Sequence, residues 1–219
     1  MIEQYAQQLN INPSEIADQI QLLEQFISGT QLPTPTLSYQ IPELGEGGSC
    51  SLFGQLQAEP FLLEEHLDVV NSEVHTCLSY LTLLCNYVEQ THNIDWFGIY
   101  QTRLIDNTPQ LLKLSYYGAP SRPLFPVNEE FALISNNASV AISNQARVIN
   151  DVDAYVANGG EYYTCDPKVK SEACIPLLAN DGSNIGITDA ETFSAGSFNP
   201  EVLASLAAVC ILIPKYLPQ

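Results

Sequence analysis

Two short segments in the last third of the chain constrain its fold most. They are Lys170-Ser171-Glu172-Ala173-Cys174-Ile175-Pro176-Leu177-Leu178 and Ile185-Gly186-Ile187-Thr188-Asp189-Ala190-Glu191. In both, apolar residues alternate with others, and the polar turn Asn180-Asp181-Gly182-Ser183-Asn184 lies between them, which is the pattern of a β-hairpin. Side chains in a strand alternate faces. Glu172, Cys174 and Pro176 therefore share one face, and Ala173, Ile175 and Leu177 the other. In the second strand Asp189 and Glu191 point one way, Thr188 and Ala190 the opposite way. Where the acidic faces coincide, three carboxylates gather in one hollow, and their repulsion raises pKa values or draws in a cation. The loop Tyr162-Tyr163-Thr164-Cys165-Asp166 leads into this hairpin and carries a thiol.

The preceding chain supplies elements for such a hairpin to pair with. Asn12 as N-cap, Pro13 at the first helical position and Glu15 open a helix whose stripe is Ile16, Ile20, Leu23 and Ile27, with Gly29 as its stop. That stripe must pack on the main domain or on a second copy, so a homodimer is one expectation. Residues 31–60, with four prolines and Gly45-Glu46-Gly47-Gly48, read as a surface connector. A long helix is predicted over 61–92 from the spacing of its leucines and valines. His66 and His75 are too far apart on it to form a metal pair, and they read as ordinary helix residues. Strands are predicted at 94–101 and 111–117. In the first, Trp96, Gly98 and Tyr100 share a face opposite Phe97 and Ile99. That face suits either core or the wall of a pocket whose floor the glycine opens. An irregular helix over 128–144, a short strand at 147–152, a long loop over 153–170 and a closing helix over 200–216 complete the order. The fold class this predicts is α+β: a central antiparallel sheet with helices mainly on one side, plus an N-terminal helical extension. The domain division is 1–60 for that extension with its connector and 61–219 for the main domain.

Charge excludes several functions. With seven Lys and Arg against 25 Asp and Glu, the net charge is -18. Nucleic acid and anionic membrane surfaces both need clustered cations, so neither is an expected partner. The N-terminus lacks a secretory signal pattern and no apolar run has membrane-spanning length, which makes the cytoplasm the expected compartment. The six cysteines show no CxxC spacing, so no metal and no cofactor is expected. Cys77, Cys85 and Cys210 read as core thiols.

Five pieces in order resemble the GAF domains, and within them the free methionine-(R)-sulfoxide reductases. They are Asp95-Trp96-Phe97-Gly98-Ile99-Tyr100, Asn150-Asp151-Val152, Thr164-Cys165-Asp166, Ser171-Glu172 with Ile175-Pro176-Leu177, and Gly186-Ile187-Thr188-Asp189-Ala190-Glu191. The resemblance covers about residues 61–216. It implies a GAF-like fold, a free amino-acid-like ligand held by Trp96, Tyr100, Glu172, Asp189 and Glu191, and a catalytic thiol at Cys165. Glu191 stands where the family usually has Asp. Two further family cysteines fall near Arg122 and Ala132 and are absent; the Gly-x-Cys-Gly turn is replaced by Glu130-Phe131-Ala132-Leu133. Several extra residues enter around Ser135 to Ser139.

Sulfoxide reduction needs aromatic walls for the methyl-sulfur end, an anion for the ammonium end, an acid for the departing oxygen and a thiolate for sulfur. Trp96 and Tyr100, the three carboxylates and Cys165 cover these tasks. The sulfenic acid left on Cys165 must be returned by another thiol. Cys174 faces the same way as Glu172 and is the local candidate; the same position also suits a plain core residue. Lys168 and Lys170 are the nearest cations to activate Cys165. The expected function is thiol-dependent reduction of free methionine sulfoxide with altered recycling by a reductant such as thioredoxin. The alternative is a non-catalytic GAF module that binds an amino acid or another small ligand.

Overall fold

The structure is a computed structural model, and it describes residues 1–45, 51–162 and 166–218. At its centre is a six-stranded sheet in the order β7-β6-β5-β10-β9-β8. The strands are β5 (Trp96–Ile105), β6 (Thr108–Tyr117), β7 (Leu124–Pro126), β8 (Arg147–Ile149), β9 (Ser171–Leu178) and β10 (Asn184–Thr192), and every neighbouring pair is antiparallel. The predicted α+β class, a central antiparallel sheet with helices mainly on one side, is the architecture observed.

One face of the sheet carries most of the helices. Phe97, Ile99, Leu112, Leu114, Ala173, Ile175 and Leu177 project from it into a core shared with α3 (Ser72–Thr91) and α7 (Pro200–Leu212). α7 is apolar on nearly all sides because it is sandwiched: the sheet lies beneath it and α2 (Pro13–Gly29) above. The α2 stripe thus finds its partner within the same chain, with Ile16 and Leu23 fully buried. Asn12 caps α2 by accepting from the Ser14 amide, as the sequence predicts.

Several boundaries differ from expectation. The helix predicted over 61–92 begins only at Ser72, because the Asn71 side chain accepts from the Val74 amide at 2.9 Å and starts the helix there. Residues before it form the short strand β4 (Phe61–Leu62), paired with β1 (Ser38–Tyr39), and a 3-10 turn. His66 stacks on Phe61 there, and His75 meets Glu64 at 3.2 Å. The connector also contains a second hairpin, β2 (Pro42–Leu44) with β3 (Ser51–Leu56). The opening polar segment is a helix, α1 (Ile2–Leu9), ended by Asn10 in the left-handed conformation. The region 128–144 is two helices, α4 (Glu129–Ala132) and α5 (Asn136–Ser143), and the loop after β8 contains α6 (Val152–Ala157), capped by Asp151.

The N-terminal segment completes the sheet edge. β8 pairs with β9 only as far as Cys174, so the edge of β9 beyond it is unpaired by strand. Pro176 sits at that point and, having no N–H, needs no acceptor partner. The Tyr5 hydroxyl of α1 donates to the Pro176 carbonyl at 2.7 Å. Gln8 clamps the neighbouring chain, donating to the Asn144 carbonyl and accepting from the Ala146 amide.

Candidate ligand-binding site

The opposite face of the sheet holds the second core and a cavity. Trp96 and Tyr100 on β5, Cys174 on β9 and Ile187 on β10 lie on this face, as alternation predicts. The register brings the acids together. Glu191 stands directly across from Glu172 on one side and from Trp96 on the other, while Asp189 stands between Cys174 and Gly98. Side chains directly opposed across antiparallel strands start about 5 Å apart. A cavity of about 210 Å³ opens over them, lined by Trp96, Tyr100, Glu172, Asp189 and Glu191 together. All five predicted binding residues therefore meet in one hollow.

The aromatic wall depends on two glycines. A Cβ on Gly98 would fall 2.3 Å from Trp96 Cη2, so the absent side chain is the space that the indole occupies. Gly118 has a φ of 101, and its Cβ would lie 2.7 Å from Trp96 Cδ1. Three side chains of this face pin the loop that follows Gly118. Trp96 Nε1 donates to the Ala119 carbonyl at 3.0 Å, Lys113 Nζ to the Ser121 carbonyl at 2.8 Å, and the Tyr100 hydroxyl to the Arg122 carbonyl at 3.2 Å.

Crowding and burial shift the acids upward. Burial pushes Glu191 up to about 8; the Glu172 and Asp166 charges add to this and Lys113 opposes it. Asp189 is raised well above the carboxylate range by burial and by Glu172 and Glu191. Asn137 Nδ2 donates to Asp189 Oδ2 at 3.1 Å and pulls the other way. Glu172 is raised by burial too, against the Tyr162 hydroxyl that donates to it, Asn136 beside it and the Arg147 charge. Asp189 Oδ1 and Asn137 Oδ1 are buried and find no hydrogen-bond partner among the described residues. No cluster able to hold a metal ion is found among them either.

The two thiols fare differently. Cys165 lies outside the described residues. Cys174 is fully buried, packed against the same cluster as Trp96 and Tyr100, below the cavity and not on its wall. Burial pushes its thiol pKa well up, and the Asp189 and Glu172 charges push it further.

Sequence reasoning missed several residues at this site. Lys113 is fully buried. Its ammonium lies 3.9 Å from the Tyr116 ring centroid and 4.9 Å from that of Tyr39, and burial depresses its pKa well below the usual lysine value. The available signal was a lysine between two leucines in an alternating strand. Asn136 and Asn137, at the start of α5, also line the cavity, as do Pro42, Gly54 and Leu56 of the β2–β3 hairpin. Nothing local in the sequence marks these last five as cavity residues.

No family model matches the chain, and no curated protein matches it. Solved structures do match. A type II free methionine-R-sulfoxide reductase from Thermoplasma acidophilum is 18% identical at a TM-score of 0.54, over 67% of this chain and 98% of its own. A structure described as the GAF domain is 20% identical at a TM-score of 0.53, over 72% of this chain and 84% of its own. The free methionine-R-sulfoxide reductase of Neisseria meningitidis, solved with its substrate, is 17% identical at a TM-score of 0.51, over 69% of this chain and 93% of its own. At these identities the likeness is one of fold, shared alike by reductases and by GAF domains. With its antiparallel sheet, its helical layer and its cavity on the opposite face, this chain has the GAF-like fold.

Proposed function

We propose that the cavity binds a small free molecule of the methionine sulfoxide type. Its ammonium end is held by Glu172, Asp189 and Glu191, and its methyl-sulfur end by Trp96 and Tyr100. The observation that carries this reading is the pair of buried acids Glu172 and Asp189, with the half-buried Glu191 beside them, in a largely apolar hollow where Asp189 Oδ1 and Asn137 Oδ1 lack partners among the described residues. Buried acceptors without donors are costly, and a ligand ammonium supplies both the donors and the charge.

In this reading the protein reduces the sulfoxide with Cys165. The thiolate attacks the sulfoxide sulfur, an acid of the trio protonates the oxygen, and oxygen leaves with the thiol as a sulfenic acid while methionine is released. Glu191, raised to about 8, is still protonated near neutral pH and suits the acid role. A second thiol then condenses with the sulfenic acid, releasing water and forming a disulfide. Cys174 is the nearest thiol in sequence, but its burial keeps it protonated and shut below the floor. An external dithiol such as thioredoxin is the simpler reductant. One feature favours the second reading, a non-catalytic small-molecule sensor: the stretch Glu130–Leu133 that replaces the Gly-x-Cys-Gly turn contains no thiol and lies in and just after α4.

Incubation with free methionine-(R)-sulfoxide and dithiothreitol tests both. Methionine formed by the wild type and lost in Cys165→Ser supports the reductase. Binding by both proteins without turnover supports the sensor. Absence of binding in both overturns the pocket reading itself.

A further inference from the structure

The β2–β3 hairpin lies outside the stretch that carries the resemblance, yet it forms part of the cavity wall. Pro42 and Leu56 face each other across the hairpin, and both line the cavity together with Gly54. Leu56 is not a core residue: 46% of it is exposed, so a large apolar side chain stands at the rim with water on it. The hairpin base is fixed to the same elements that build the aromatic wall. The Gln57 amide donates to the Ile41 carbonyl at 3.0 Å, and Ile41 and Tyr39 are buried. The Tyr39 hydroxyl donates to the Lys113 carbonyl at 2.8 Å, while Lys113 Nζ lies near its ring and donates to Ser121 Oγ at 2.6 Å. Ser121 is itself a cavity residue. An unbroken path of contacts therefore runs from hairpin to cavity wall.

We infer that this hairpin is a built-in part of the binding site, and that Leu56 and Pro42 are specificity-determining residues for the apolar side-chain end of the ligand. The inference rests on the proposed amino-acid ligand. With the ammonium on the acids of β9 and β10, the rest of the ligand extends past Trp96 and Tyr100 toward the mouth. There a side chain of several heavy atoms covers Leu56 and removes its apolar surface from water. A ligand with only a methyl side chain keeps the acid contacts but falls short of the rim. Pro42 has one free torsion fewer than other residues and loses little freedom when it is covered.

Calorimetric titration of the full chain with free methionine-(R)-sulfoxide and with L-alanine, the latter by competition if weak, tests this. Leu56→Ala is expected to weaken methionine-sulfoxide binding roughly tenfold, the scale of lost methylenes in an apolar pocket, and to leave L-alanine binding within about twofold. Leu56→Met, which keeps the volume, is expected to restore most of the affinity. Because Leu56 is half exposed, its variants should keep the wild-type melting temperature, and circular dichroism checks this. Equal losses for both ligands, or no loss for either, overturn the inference while leaving the pocket reading intact. A wild-type chain that binds neither compound overturns both.

Discussion

Glu191 shows how one side chain ties stability to function. Its folded pKa of about 8 lies above its ordinary value of 4.5, so between these values the native state holds a proton that the unfolded chain has released. Stability from this group therefore falls as pH rises through that window, by at most about 1.4 kcal/mol per pH unit. Thermal denaturation followed from about pH 5 to about pH 8 should show a falling melting temperature, and Glu191→Gln should flatten the slope. An unchanged slope in the variant would place the titration elsewhere. At Gly98 the decisive quantity is space. Gly98→Ala puts a methyl where the ring of the only tryptophan lies, and overpacking of this kind costs about 1–3 kcal/mol. Tryptophan emission should shift and ligand affinity should drop; a variant with wild-type emission and binding would show that the ring is not confined.

Among the elements, α5 governs the polar side of the cavity. Ser135 caps it by accepting from the Ala138 amide, and the first two residues of the helix, Asn136 and Asn137, face the acids. Ser135→Ala is expected to lower stability by about 1 kcal/mol, read as a denaturation midpoint. It should also weaken ligand binding, because fraying of the first turn releases Asn137 from Asp189. Retained binding after a clear loss of stability would mean that the asparagines are held by their other neighbours. The loop from Gly118 to Arg122 is comparable: side chains of β5 and β6 fix its carbonyls, so wall and sheet form one unit.

For the whole molecule, the N-terminal segment and the sheet share one core. Tyr5, Leu9, Ile16 and Leu23 are buried with residues of α7 and β9. Tyr5→Phe leaves the buried Pro176 carbonyl unpaired and is expected to cost about 1–3 kcal/mol, measured by urea denaturation. A wild-type midpoint would show that water replaces the hydroxyl. The net charge of -18 also acts on the molecule as a whole, since self-repulsion opposes compactness. Added salt screens it, so the melting temperature should rise with ionic strength. A flat response would show that the charges are already well separated.

Much of the site was legible because strand alternation is local and strict. Once 171–178 and 184–192 are read as strands, the faces of Glu172, Cys174, Asp189 and Glu191 follow, and those of Trp96 and Tyr100 follow in the same way. The helix cap at Asn12 was legible for the same reason: the signal is a side chain beside its own backbone amides. What the sequence could not convey was which strands become neighbours. β10 lies between β5 and β9, and only this order sets Trp96 opposite Glu191 and Glu191 opposite Glu172. The two asparagines of α5 and the wall residues Pro42 and Leu56 reach the cavity, and Lys113 braces its wall at Ser121, through contacts across long stretches of chain. Local periodicity determined which way each residue points; only the tertiary structure decided what it meets, because sheet order and loop closure arise from burial summed over the whole chain.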